Sequence, residues 1–191
     1  MKKEHERGYT MIEVIAVTCV IVMVMSGMAA LVNSMFSKFK DNQLLNQVTD
    51  LRKLISERYA ATGNYSDLSV KNLINEGIAP SDMVKGDKMI NAYVGQIILG
   101  PANTYGSGLS YTMEFRNLPQ NICIQAAGMN WRVDDTSTLV SLKINKNTYT
   151  WPINQIGNKP QPGLNTLPIT MTQAQSACNS KDNNIITWEF Q

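Results

Sequence analysis

Arg7-Gly8-Tyr9-Thr10-Met11-Ile12-Glu13-Val14 is the stretch on which the reading of the fold turns. Before it lies a short polar segment carrying Lys2, Lys3 and Arg7. After it, residues 14–32 carry no charge and are rich in Val, Ile, Met and Ala. As a helix at 1.5 Å per residue this run would reach roughly 29 Å, the thickness of a bilayer core. Basic residues at its N-terminal side favour leaving that end in the cytoplasm, with the remainder of the chain exported. Glu13 breaks the pattern. A carboxylate in the centre of a spanning helix costs about 2.5–3.5 kcal/mol, so an ionisable residue there is a functional candidate. The plain alternative is that Glu13 marks the interfacial end of the helix, where its cost is small.

Helical periodicity continues past the apolar run. Residues 33–40 turn polar, and Leu44, Val48, Leu51, Ile55 and Tyr59 then recur at i, i+4, i+7, i+11 and i+15, one stripe along a helix. Asp41, Gln43, Gln47, Asp50, Lys53 and Glu57 fall mostly off that stripe. Gly63-Asn64 supplies a stop. One helix over residues 10–62 would reach about 80 Å. Its first half suits lipid or other apolar helices, and its second half predicts a protein layer against one face.

Composition removes most enzyme classes. The chain has 191 residues, 17 Lys plus Arg against 15 Asp plus Glu, and a net charge of +2. Such a balance argues against nucleic-acid binding by general electrostatics, which needs a clustered basic surplus. The single histidine, His5, lies in the first eight residues. If that segment is cut away, Ser-His-Asp and Cys-His catalysis, His-ligated zinc and His general bases go with it.

Two processing readings compete. One is a secretory signal with a small-x-small site at Gly27-Met28-Ala29. It is weakened by the carboxylate inside the apolar region. In the other, the cut falls after Gly8 and the apolar helix stays in the product. There the sequence becomes specific: a basic residue, Gly8, aromatic Tyr9, Thr10, two apolar residues and then Glu13. This resembles the class III signal of type IV pilins, with Met11 in place of the usual Leu. Leu54 to Met83 (LISERYAATGNYSDLSVKNLINEGIAPSDM) is similar to type IVb major pilins, the group of thin-pilus and bundle-forming pilins. There a helix-end Tyr precedes a second Tyr and Leu-Ser, then a short helix ending in Gly-Ile-x-Pro. Two departures bear on the subclass. The leader is short for type IVb, whereas the absence of Pro at Ala30 and the long C-terminal region speak against type IVa.

The resemblance implies cleavage by a prepilin peptidase between Gly8 and Tyr9, N-methylation of Tyr9 and an assembly role for Glu13. An assembly ATPase and platform protein would move the subunit from the inner membrane into a helical homopolymer. The implied fold class is α+β: a long N-terminal helix, transmembrane in its first half, packed on a C-terminal antiparallel sheet. The corresponding divisions are a leader at 1–8, a transmembrane helical half at 9–32, an amphipathic half at 33–62 and an exported domain at 63–191. Type II secretion pseudopilin, minor (tip or priming) pilin and signal-cleaved periplasmic protein remain as rivals. Adhesion, conjugation, motility and uptake are equally open.

Beyond residue 83 the pattern becomes β-like. Strands are expected at 92–99, at 109–116 by strict alternation, around Leu139, Leu142 and Ile144 with one slip of phase, at 148–153 and at 185–190. Pro101 and residues 105–108 read as turns, 154–168 as an exposed loop and 172–179 as a short helix. Cys19 lies within the apolar run and reads as a small packing residue. Cys123 and Cys178 lie in the exported region, where an oxidising compartment favours pairing. Pilins of the resembled family carry a comparable bridge, worth about 4 kcal/mol in the chain-entropy model. Two free thiols are the alternative. Asp134-Asp135-Thr136 reads as a solvated turn, with a calcium site of the pseudopilin kind as the sharper alternative. Trp131, Trp151 and Trp188 read as packing residues. No catalytic residue, metal ligand or cofactor is assigned.

Overall fold

A computed structural model of the chain describes residues 10–104, 106–131, 139–151 and 166–191; of the side chains at 25, 27–31 and 33 nothing is said. The described elements are α1 (Met11–Tyr59), α2 (Val70–Asn75), β1 (Val84–Lys85), β2 (Lys88–Ile90), β3 (Gln96–Ala102), β4 (Ser110–Leu118), α3 (Gln120–Ala127), β5 (Leu139–Ile144), β6 (Asn147–Thr150), α4 (Met171–Ala177) and β7 (Asn184–Phe190). The chain divides into two compact units, residues 1–40 and 41–191.

In the first unit the chain is helical from Met11, and every described side chain is exposed. The described apolar stretch of α1 runs unbroken only to Val24, short of the roughly 20 residues a bilayer requires. Among the described residues no helix is long and apolar enough to cross a membrane. The expected membrane-spanning half therefore finds no support in them; the uncharged run continues through positions whose side chains lie outside the described set.

The second unit holds the core. The stripe Leu44, Val48, Leu51, Ile55 and Tyr59 is buried as its spacing requires, in one cluster with the inward residues of the sheet. Gly63, at φ +58, turns the chain at the end of α1 and donates its N–H to the Tyr59 carbonyl at 2.8 Å. A left-handed residue just beyond a helix suits glycine, which has no Cβ to clash. Asp41 and Gln47 depart from expectation. Both are buried, because each finds polar partners beside the helix.

The seven strands form one antiparallel sheet in the order β1-β2-β3-β4-β7-β5-β6. The last strand in sequence thus lies between β4 and β5. On β4, Tyr111, Met113 and Phe115 face the core opposite Phe190, Trp188 and Ile186 of β7. Aromatic contacts knit this layer: Tyr59–Tyr65 at 5.2 Å, Tyr65–Tyr111 at 4.6 Å and Tyr111–Phe190 at 5.6 Å between ring centroids. The slip of phase on β5 is a register shift against β7 between Leu139 and Ser141, an extra residue in one strand.

Three strand and turn expectations are corrected. The strand expected at 92–99 begins only at Gln96, because Asn91 takes over residues 91–95. Its Oδ1 accepts the N–H groups of Tyr93 and Gly95, and its Nδ2 donates to the Arg116 carbonyl at 2.7 Å. Pro101 is not a turn but part of β3, opposite Tyr111 and beyond the reach of β2. A strand position without a neighbour on one side tolerates a residue with no N–H. The expected strand at 148–153 is seen as β6 up to Thr150, and residues 152–153 lie outside the described set. The expected loop at 154–168 also lies outside it up to residue 165; Thr166 then bridges to Thr150, and Leu167 is buried rather than exposed. The sequence pattern predicts no helix at Gln120–Ala127, where the structure has α3. Tyr105, Asp134, Asp135 and Thr136 lie outside the described residues.

Candidate assembly site

Of the residues singled out by sequence, Gly8 and Tyr9 lie outside the described residues. Glu13 stands in the first turn of α1, its N–H bonded to the Thr10 carbonyl at 2.9 Å. A carboxylate there is favoured by the unpaired N–H groups of the helix start. Between Val14 and Val24 the described surface is largely apolar on every side of the helix, and Ser34, Ser37, Lys38 and Lys40 are exposed polar positions beyond it. Ile12, Val14, Ile15, Val17, Val20, Ile21, Val22, Met23 and Val24 are all at least half exposed, as are Met35, Phe36 and Phe39 further on. The hydroxyls of Thr18 and Ser26 bond back to carbonyls of their own helix, at 2.9 Å to Ile15 and 2.8 Å to Met23. This face therefore offers apolar contact rather than hydrogen bonds. Continuous exposed apolar surface on this scale marks a binding surface. Cys19 on it is a free, exposed thiol.

The second unit is stiffened where α1 enters it. Asp41, 9% exposed, accepts the Tyr93 hydroxyl at 2.6 Å, and both its oxygens lie within 3.3 Å of Asn121 Nδ2. Gln47 Oε1 accepts the Ala92 N–H at 2.9 Å, and its Nε2 donates to Asp82 at 3.3 Å. Two successive turns of the helix are thereby tied to the 91–95 turn and to α3. Sequence reading missed these ties, because a single Asp or Gln off an apolar stripe looks like solvent-facing surface.

Cys123 of α3 and Cys178 at the end of α4 are joined in a disulfide, with Cα atoms 5.9 Å apart and both residues buried. The bridge clamps the C-terminal helix to the one that follows β4. α4 itself starts with a capping box, Thr170 accepting from the Gln173 N–H while Gln173 reaches back to the Thr170 N–H. Asn184, fully buried, donates to the Leu118 and Ser180 carbonyls and seats β7 beside this clamp.

On the sheet face turned away from Trp188 and Phe190, the Glu189 carboxylate accepts the hydroxyls of Ser110 and Ser141 at 3.2 and 2.8 Å. Burial of the Tyr59 ring, reinforced by Asp67, pushes its phenol up to about 12. Burial raises Tyr65 and Tyr149 as well. Trp131 and Trp188 pack edge to face at 5.4 Å within the core, the packing role expected of them. Among the described residues no group of three or more His, Cys, Asp or Glu side chains is placed to hold a metal ion.

An N-terminal helix with an exposed apolar first part, its second part laid on an antiparallel sheet, defines the type IV pilin class. A solved structure of that fold, the type IV b pilin from Salmonella typhi, matches with a TM-score of 0.53 at 20% identity, over 77% of this chain and 96% of that one. The chain belongs to the family described as PilS N terminal, whose model matches residues 40–190. In sequence it is 24% identical, over 98% of its length and 96% of theirs, to the major structural subunits of bundle-forming pilus from Escherichia coli O111:H- and Escherichia coli O127:H6 (strain E2348/69 / EPEC).

Proposed function

We propose that this chain is a prepilin whose mature form is the structural subunit of a type IV pilus. The observation that carries the reading is the helix of the first unit, apolar and exposed from Val14 to Val24, joined to a second unit with a buried core of its own. Exposed apolar surface on a helix is costly in water, and bundling with copies of itself removes that surface. Pilin relatives that are structural subunits support a polymer and favour a structural role over catalysis.

In this reading a prepilin peptidase cuts between Gly8 and Tyr9 and the new Tyr9 amine is methylated. The uncharged run 14–32 holds the subunit in the inner membrane, N-terminus cytoplasmic, until an assembly ATPase and platform protein draw it into an extracellular filament. Glu13 is the pairing residue: four positions along a helix is about 6 Å of rise, within reach of a Tyr9 amine on its own or an incoming subunit. The pair acts on register more than on net stability, since buried ion pairs barely offset their desolvation. Intact mass of the exported protein, with imaging of surface filaments, tests the proposal. The expected product begins at a methylated Tyr9 and is the main protein of the filaments. A product beginning near Ala30 would sink it.

A further inference from the structure

Among the described non-glycine residues, Val94, Asn117 and Asn145 have positive φ, at 60°, 57° and 54°. Asparagine enters the left-handed region readily, and Asn145 uses its side chain there to bond Ala177, Asn184 and the Ile185 N–H. Val94 is different in kind. Its branched Cβ crowds the backbone in this conformation, and a β-branched residue at positive φ is a strained position.

The turn does not need the valine side chain to hold its shape. Asn91 bonds the N–H groups of Tyr93 and Gly95 and the Arg116 carbonyl, and its backbone exchanges hydrogen bonds with Val94 and Gly95 at 2.8 Å. Gln47 holds Ala92, and Tyr93 is bonded to Asp41. Val94 itself is 64% exposed, an apolar side chain on a turn fixed by its neighbours. Asparagine or glycine would fit this backbone with less strain and expose less apolar surface. Strain retained at an exposed position points to use of that side chain outside the subunit.

We propose that Val94 is a contact residue between copies of this chain, its side chain buried against an apolar patch of a second copy. The inference rests on the polymer reading above, which makes a second copy the partner met by every subunit. The bracing suits such a contact: the turn is tied to α1, to β4 and, through Asp41, to α3, so it stands at one place relative to the core in every subunit. A contact repeated once per subunit between two different surfaces propagates as an open helical array wherever its rotation does not close into a ring.

The test uses the full chain, expressed in cells for filament counts and purified in detergent for melting. Val94→Asn is expected to raise the melting temperature by about 2–4 °C through relief of backbone strain. The same substitution is expected to lower filament yield about tenfold, since an apolar contact is lost at each addition. Val94→Gly decides the matter should the Asn variant fail to fold, and Val94→Leu, which keeps an apolar side chain, should retain filaments. A photo-crosslinking amino acid in place of Val94 should give subunit–subunit adducts in sheared filaments. Wild-type filament yield from a stabilised Asn or Gly variant, no rise in melting temperature in either, or adducts to a different protein would overturn the contact role. Absence of filaments from the unaltered chain would instead overturn the polymer reading on which it rests.

Discussion

Gly95 shows how closely the second unit is packed at one residue. A Cβ at this position would overlap the Arg116 carbonyl, a backbone atom that cannot swing aside. Gly95→Ala is therefore expected to destabilise the chain by about 3 kcal/mol or more, as large steric conflicts in a core do, with urea unfolding as the measurement. Nothing in the local sequence reveals this, because the carbonyl comes from β4. Tyr59 is a second case. Its ordinary phenol value is about 10, and burial beside Asp67 pushes it up to about 12 in the folded chain. A raised value means that folding favours the protonated phenol, so this contribution is complete below pH about 10 and is lost as pH rises towards about 12. The stability of the unaltered chain relative to Tyr59→Phe should be constant below pH about 10 and fall above it. A difference that stays flat through pH 12 would show an unperturbed phenol.

Elements differ in how openly they declare themselves. The helix stripe from Leu44 to Tyr59 and the alternation on β4 were legible because a long amphipathic element repeats its signal many times. α3 was not, since eight residues make only two turns, too few for the i, i+4 spacing of Ile122, Cys123, Ala126 and Ala127 to stand out beside apolar Ile124. The turn at 91–95 reads as strand because Ala92, Tyr93 and Val94 are apolar, while the deciding interaction, the Asn91 side chain on Arg116, spans distant positions in the chain. The disulfide joins α3 to the end of α4 across a sequence separation of 55. Cys178→Ser is expected to cost about 2–5 kcal/mol, because the unfolded chain regains the freedom that the closed loop removes. Chemical unfolding of the variant beside the unaltered chain with and without reductant checks it. Reduced wild type should approach the variant's midpoint.

For the whole molecule, the proposed assembly mechanism concentrates on Glu13. In a filament, an amine drawn into an apolar bundle without its carboxylate leaves a buried charge unpaired, a loss of about 3–5 kcal/mol at each subunit addition. Glu13→Gln is expected to leave cleavage and the folded 41–191 unit intact while abolishing visible pili, read by intact mass, by melting and by electron microscopy. Normal pilus number and length would return Glu13 to the role of a residue favoured at a helix start.

By itself the sequence determined the long helix, the charge that interrupts its apolar run and the α+β class, since each is written in local periodicity and in the cost of charge beside apolar surface. The resemblance of its N-terminal region pointed to the pilin family and to the pairing of Cys123 with Cys178. Only the tertiary structure decided that β7 lies between β4 and β5, that Asp41 and Gln47 are buried ties and that Val94 is held at positive φ. Those outcomes depend on partners far apart in the chain. A side chain's environment is set by what folds against it, and no window of neighbouring residues contains that.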